Sequence, residues 1–98
     1  MIEVHETDLF SRWLRGLRDR RCRRAITMRI QRLALGNFGD VKSVGHSVSE
    51  LRIFCGPGYR VYFVKRGLQV FLLLCGGDKS SQEADIAKAY AMAEDLEV

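Results

Sequence analysis

The sequence predicts a single α+β domain over residues 1–98. An N-terminal strand and a helical hairpin pack on a small antiparallel meander sheet, and a C-terminal helix follows. Three observations predict this. Before Gly36, apolar residues recur at helical spacing in two consecutive stretches. After Gly39 the period shortens toward two, with glycines between the apolar runs. Beyond Gly76-Gly77 a capping pattern opens a last helical stretch. With 98 residues the chain builds one modest core and not two.

Each element has its own signal. Ile2 to His5 is short and partly alternating, which suits a first strand. Thr7 or Asp8 caps a helix in which Phe10, Trp13, Leu14 and Leu17 fall at i, i+3, i+4 and i+7. Gly16 weakens that helix, and a break over Leu17 to Asp19 makes a helical hairpin. In the second helix Cys22, Ile26, Ile30 and Leu33 share one face, with Arg21, Arg24 and Arg32 away from it. Gly36-Asn37 stops it. Val41 to Val44 and Glu50 to Cys55 read as strands. Tyr59 to Arg66 is the clearest strand, with Val61 and Phe63 on one face and Arg60 and Tyr62 on the other. Arg66-Gly67 turns into Leu68 to Cys75, an apolar run that reads as a central strand. Short turns between successive strands imply a meander. Gly76-Gly77 then releases the chain into a helix with Ser80 and Glu83 as its capping box, lightly docked through Ile86, Tyr90 and Ala93.

Composition narrows the function classes. No apolar run approaches the roughly 20 residues needed to cross a bilayer. The first residues lack the basic and apolar regions of a signal peptide, so a cytoplasmic location is expected, with no membrane partner. The three cysteines, Cys22, Cys55 and Cys75, are odd in number and widely spaced. That pattern suits small buried thiols at Cys55 and Cys75 rather than a disulfide framework or a zinc site. Neither His5 nor His46 has a ligand-like neighbour, so no metal and no cofactor is expected.

The net charge of +4 is unevenly distributed. Residues 1–36 hold nine arginines against four acids, and residues 37–79 hold six basic residues against three acids. Residues 80–98 reverse the sign, with one lysine against five acids. A basic body favours a polyanionic partner and fast electrostatic capture. The Arg20, Arg21, Arg23 and Arg24 run suits a solvated helix face, a partner-protein surface or RNA contact.

Basic residues also gather on the predicted sheet: Arg52, Arg60, Lys65, Arg66 and Lys79. Cleaving RNA through its own 2′-hydroxyl requires removal of a proton, stabilisation of a crowded phosphorane, and protonation of the leaving oxygen. Preorganised cations supply the stabilisation. Arg60 leads the candidates because alternation turns it away from Val61 and Phe63, toward the open face of the sheet; the alternative is an ordinary surface arginine on a half-solvated sheet. Arg52 shares its face if the two strands pair, or else serves an acid across the sheet. Lys79 follows two glycines at a helix start, where amides and dipole favour anions. Tyr59 and Tyr62 suit base stacking or simple packing. Gln82 suits a base edge, a ribose or a helix cap. His46, in a loop, is a weak candidate base.

The wording GYRVYF…LLLCGGDKSSQ…DIAKA, with the order of elements around it, resembles the RelE/ParE superfamily of small bacterial toxins. Within it the chain is most similar to the HigB-like group, often labelled addiction-module killer proteins. The resemblance covers nearly the whole chain and is strongest from Leu51 to Ala89. It implies the toxin of a type II toxin–antitoxin module, paired with a cognate antitoxin, commonly a helix-turn-helix DNA-binding protein. RelE-like and HigB-like toxins cut mRNA in the ribosomal A site without a metal, inhibiting translation. ParE-like toxins instead inhibit DNA gyrase and leave RNA intact. By position, the arginine after GY matches Arg60, the basic residue after the last strand matches Lys79, and Arg52 falls on the preceding strand. The C-terminal catalytic tyrosine of the RelE branch has no match, since Tyr90 lies well inside the final helix. Three readings follow: a metal-independent endoribonuclease, a gyrase inhibitor, and a phage-derived inhibitor that binds a host protein without catalysis.

Overall fold

In the computed structural model, which describes residues 2–96, the elements follow the predicted order. They are β1 (Glu3–Glu6), α1 (Asp8–Gly16), α2 (Arg20–Ala34), β2 (Val41–Gly45), β3 (Val48–Ile53), β4 (Tyr59–Arg66), β5 (Val70–Asp78), a 3-10 turn (Lys79–Ser81) and α3 (Gln82–Asp95). The fold is α+β and RelE-like. Strands β2 to β5 form the antiparallel meander, and β1 joins its far edge parallel to β5, giving the order β1-β5-β4-β3-β2. No helix among the described residues is long and apolar enough to cross a membrane.

Local chemistry sets the helical hairpin. The Thr7 hydroxyl accepts from the Phe10 amide at 3.1 Å and donates to the Leu74 carbonyl at 2.6 Å, so one side chain caps α1 and ties it to β5. Asp19 caps α2 by accepting from the Arg21 and Cys22 amides at 3.0 and 3.2 Å. Arg23 donates to the Leu17 carbonyl at 3.2 Å and stitches the end of α1 to α2. The hairpin covers one sheet face, burying Phe10, Ile26 and Leu33 against Leu51, Ile53, Val61, Phe63, Phe71 and Leu73.

Helix α3 covers the other face. Ala89 and Ala93 lie on Val48, Tyr62, Val64, Leu74 and Cys75 in a second apolar cluster. Their small side chains let the helix backbone approach closely. Gly77 completes that approach, because a Cβ there would overlap the Asp85 carboxylate and lie 2.9 Å from the Ser81 hydroxyl. The Tyr90 hydroxyl donates to the Val44 carbonyl, and its ring lies 4.2 Å from that of His46, pinning the β2–β3 turn.

Four details differ from the sequence reading. Gly76 and Gly77 do not release the chain; they stay inside β5, where they make room for Trp13 on one face and Asp85 on the other. The cap before α3 is Asp78 with Ser81, not Ser80 with Glu83, because the 3-10 turn intervenes. The buried side of α3 is Asp85, Ala89 and Ala93, while Ile86 and Tyr90 are only half-buried. Finally, Cys55 is not an isolated thiol. It is bonded to Cys22 across 33 residues, with Cα atoms 5.5 Å apart, and only Cys75 is free and buried. Spacing along the chain could not reveal that pair, because the packing of α2 under the β3–β4 loop creates the proximity.

Candidate functional site

The site grows from one register. β3 and β4 set Val48 opposite Val64, Glu50 opposite Tyr62, and Arg52 opposite Arg60. Strand alternation turns all six toward the α3 face. Along that face an apolar pair gives way to a polar pair and then to a cationic pair. Helix α3 covers the first two and begins at Gln82, whose side-chain amide donates to Glu50 Oε2 at 2.9 Å.

Two arginines placed directly opposite repel, and each turns to its own partner. Arg52 Nη2 lies 2.8 Å from Asp40 Oδ1, with Nε at 3.2 Å from the same oxygen. The hydrogen bond to Asp40, and then its charge, holds the Arg52 guanidinium above its ordinary range. Arg60 Nη1 donates to the Gly58 carbonyl at 2.6 Å, while Nε sits 3.8 Å from Glu50 Oε2 without a hydrogen bond. Its side chain is 13% exposed, and Nη2 has no hydrogen-bond partner among the described residues.

Glu50 is fully buried, and its Oε2 accepts from the Tyr62 hydroxyl at 2.9 Å as well as from Gln82. A buried carboxylate is costly without such partners and a nearby cation, and Arg60 is that cation. Burial first, then the hydrogen bond to Glu50, pushes the Tyr62 phenol above its ordinary value.

Lys79 joins Arg60 through the loop before β4. Gly58 has φ +81°, a left-handed conformation that favours glycine. The point a Cβ would occupy there is 3.0 Å from Arg60 Nη1 and 3.8 Å from Lys79 Cβ, so both side chains flank the same residue. Lys79 is exposed. Its neighbour Asp78 is occupied in capping, and the Ser80 hydroxyl hydrogen bond is the largest cause holding its carboxyl below the usual range.

The structure therefore brings Arg52, Arg60, Lys79 and Gln82 to one end of the sheet. The others lie elsewhere. Tyr62 is on the Arg60 face but fully buried beneath α3, so the expected open face is closed at that position and no base reaches its ring. Tyr59 packs toward the helical hairpin, edge-on to Trp13 at 6.0 Å. Lys65 and Arg66 pair with Phe71 and Val70 at the opposite end of β4, and His46 sits in the β2–β3 turn, also at that end. Gln82 is committed to Glu50. Two acids escaped the sequence reading: Glu50 and Asp85, the latter accepting from the Ser81 hydroxyl at 2.6 Å. The run Val48-Ser-Glu-Leu-Arg-Ile held a signal for Glu50, because alternation places it in one row with Val48 and Arg52.

No family model matches the chain. A protein of Haemophilus influenzae (strain ATCC 51907 / DSM 11121 / KW20 / Rd), called "Uncharacterized protein", is 46% identical over 95 residues, which span 97% of this chain and 96% of the relative. The chain belongs to the same family as that protein.

Proposed function

We propose that this protein is the toxin of a type II toxin–antitoxin module, of the RelE/ParE type and HigB-like group. It is a ribosome-dependent, metal-independent endoribonuclease that cuts mRNA. The RelE-like fold and the matching motifs support the reading, and one observation carries it. Arg60 is anchored at one nitrogen by Gly58 and backed by the buried Glu50, while its outer nitrogen is unpartnered among the described residues and Lys79 stands beside it. A guanidinium held this way meets a phosphate without first having to be ordered.

Attack of the 2′-hydroxyl on the adjacent phosphorus, its proton passing to solvent, forms a 2′,3′-cyclic phosphate and breaks the bond to the 5′-oxygen, which leaves with a proton from solvent. Charge builds on the non-bridging oxygens as the bonds exchange. Arg60 and Lys79 stabilise that charge as it develops, and Arg52 adds to the local positive potential while paired to Asp40. Tyr62 is no proton carrier here, since burial and Glu50 keep its proton in place. Placement of the mRNA by the ribosome supplies alignment that the side chains do not. The cognate antitoxin is a helix-turn-helix DNA-binding protein with an acidic segment that covers the basic surface. Inducing the protein without a partner and mapping mRNA ends tests the reading. Cuts at codon spacing within translated frames support it, and intact mRNA rejects it.

A gyrase-inhibiting function has one observation in its favour. Arg12, Arg15, Arg20, Arg21 and Arg24 of the helical hairpin are exposed, and none forms an ion pair with a described residue. An SOS response with intact mRNA selects that alternative.

A further inference from the structure

Phe54 is 84% exposed and stands where β3 leaves the sheet. The Cys55 amide donates to the Ile53 carbonyl at 3.0 Å, which makes Phe54 the corner of a three-residue turn. Its neighbours both go to the helical side: Ile53 into the core and Cys55 into the bond with Cys22. Phe54 is the one side chain of the three that does not. The turn is held from both sides, since the Gly58 amide donates to the Cys55 carbonyl at 3.2 Å and the Gly58 carbonyl accepts from Arg60. Phe54 follows Ile53, which pairs with Tyr59 next to the Arg52–Arg60 pair, so it leaves the sheet at the end that carries Arg60.

The ring adds nothing to either apolar cluster. An isolated exposed aromatic is ordinary, but one held at the same end of the sheet as a cationic pair, with a guanidinium nitrogen unpartnered among the described residues, supplies the two parts of a single-strand site: a phosphate grip and a stacking surface. We infer that Phe54 is the base-stacking platform of the Arg60–Lys79 site, and that it holds one nucleobase of a single-stranded RNA whose phosphate lies on Arg60. This rests on the RNA-cleaving reading above and names a contact within it. Stacking is tolerant of base identity, so Phe54 contributes affinity and placement rather than sequence choice.

The test is binding of a fluorescent single-stranded RNA of roughly eight nucleotides, a length within common single-strand footprints, with 2′-O-methyl sugars to block cleavage. Phe54→Ala should weaken binding about 5- to 150-fold, the loss expected on removing one stacked base contact. Phe54→Trp should keep or improve it. The salt dependence of the Phe54→Ala protein should match the parent, whereas Arg60→Ala should flatten it by the share of about one phosphate contact. A single abasic position in the RNA should erase the difference between parent and Phe54→Ala. Thermal unfolding should be unchanged, because the ring is exposed. Equal RNA affinity for parent and Phe54→Ala overturns the inference, including when the variant instead loses binding to a partner protein. A parent that holds no RNA overturns it as well. Mapping of mRNA ends with the parent protein decides the cleavage reading separately, so the two failures are distinguishable.

Discussion

Arg60 has two jobs that substitution can separate. On the enzyme reading, Arg60→Ala loses about 2–4 kcal/mol of transition-state stabilisation, the effect of removing one preorganised donor. From sequence alone the side chain looks dispensable for folding; the structure corrects this. Arg60 Nε lies 3.8 Å from a carboxylate that is only 1% exposed, so its removal leaves the buried Glu50 charge with its Tyr62 and Gln82 hydrogen bonds but without its neighbouring cation. Arg60→Ala should therefore also cost about 1–3 kcal/mol of stability, read from the urea midpoint. Adding Glu50→Gln should restore much of the stability and none of the cleavage. Arg60→Lys should recover charge but not the planar fork. Cys75 gives a second prediction. Burial, and then the Asp85 charge, pushes its thiol up to about 11. Between its ordinary value near 9 and that value the folded state holds a proton that the unfolded state has lost. Stability is thus complete below about pH 9 and falls as pH rises through the window, by up to about 2–3 kcal/mol. Unfolding midpoints across that range should fall for the parent and stay flatter for Cys75→Ala. Tyr62, also shifted upward, adds a fall of the same sign at higher pH.

Two connections carry much of the order of the elements. The Cys22–Cys55 bond ties the first turn of α2 to the β3–β4 loop that presents Gly58 to Arg60. Closing a loop across 33 residues should stabilise the fold by about 2–4 kcal/mol. Reductant, or the Cys22→Ser Cys55→Ser pair, should lower the unfolding midpoint accordingly; no change would mean that the loop is held by its turns alone. The β2–β3 turn is the second. His46 and Ser47 both have positive φ, at 52° and 63°, where asparagine and glycine are favoured. The stack of His46 on Tyr90 and the Tyr90 bond to Val44 hold this conformation. Ser47→Gly should raise stability by up to about 1 kcal/mol in urea unfolding, since it removes the steric cost without touching the stack.

Over the whole molecule the arginines divide by use. Arg23 and Arg29 are spent on backbone carbonyls, Arg29 donating to Arg52 at 2.6 Å and Phe38 at 3.2 Å, and so act as fasteners. Arg12, Arg15, Arg18, Arg20, Arg21 and Arg24 stay exposed on the helical hairpin. A surface with this excess of positive charge captures an acidic partner by long-range attraction. On the toxin reading, association with an antitoxin should therefore slow as salt rises, with the dissociation rate less affected. An on-rate unchanged from low to high salt would remove charge from the account of recognition. Neutralising Arg20, Arg21 and Arg24 together should reduce the salt effect, and should leave mRNA cleavage intact if Arg60 is the centre of activity.

Local order is strongly encoded along the chain. Thr7 or Asp8 marks the start of the first helix, the four-residue recurrence of Cys22, Ile26 and Ile30 marks an apolar stripe, and the alternation over Tyr59 to Arg66 assigns Arg60 to the face opposite Val61. These follow from backbone geometry within a few residues, where period and capping chemistry suffice. Pairing between distant segments is a different quantity. Alternation assigns a face but not a partner, so neither the Glu50–Tyr62 contact nor the placing of Arg52 opposite Arg60 follows from either strand alone. The parallel docking of β1 on β5 and the meeting of Cys22 with Cys55 depend on how two helices lie on the sheet. Most consequential for the site, the polar face of β3 and β4 looks solvent-facing in sequence, yet α3 closes it as far as Gln82. Alanines at 89 and 93 and glycine at 77 permit that approach, because only side chains this small leave room for a helix backbone against the sheet. Their size is visible in the sequence; what they make room for is set by packing summed over the molecule, and it leaves Arg60 and Lys79 at the uncovered end.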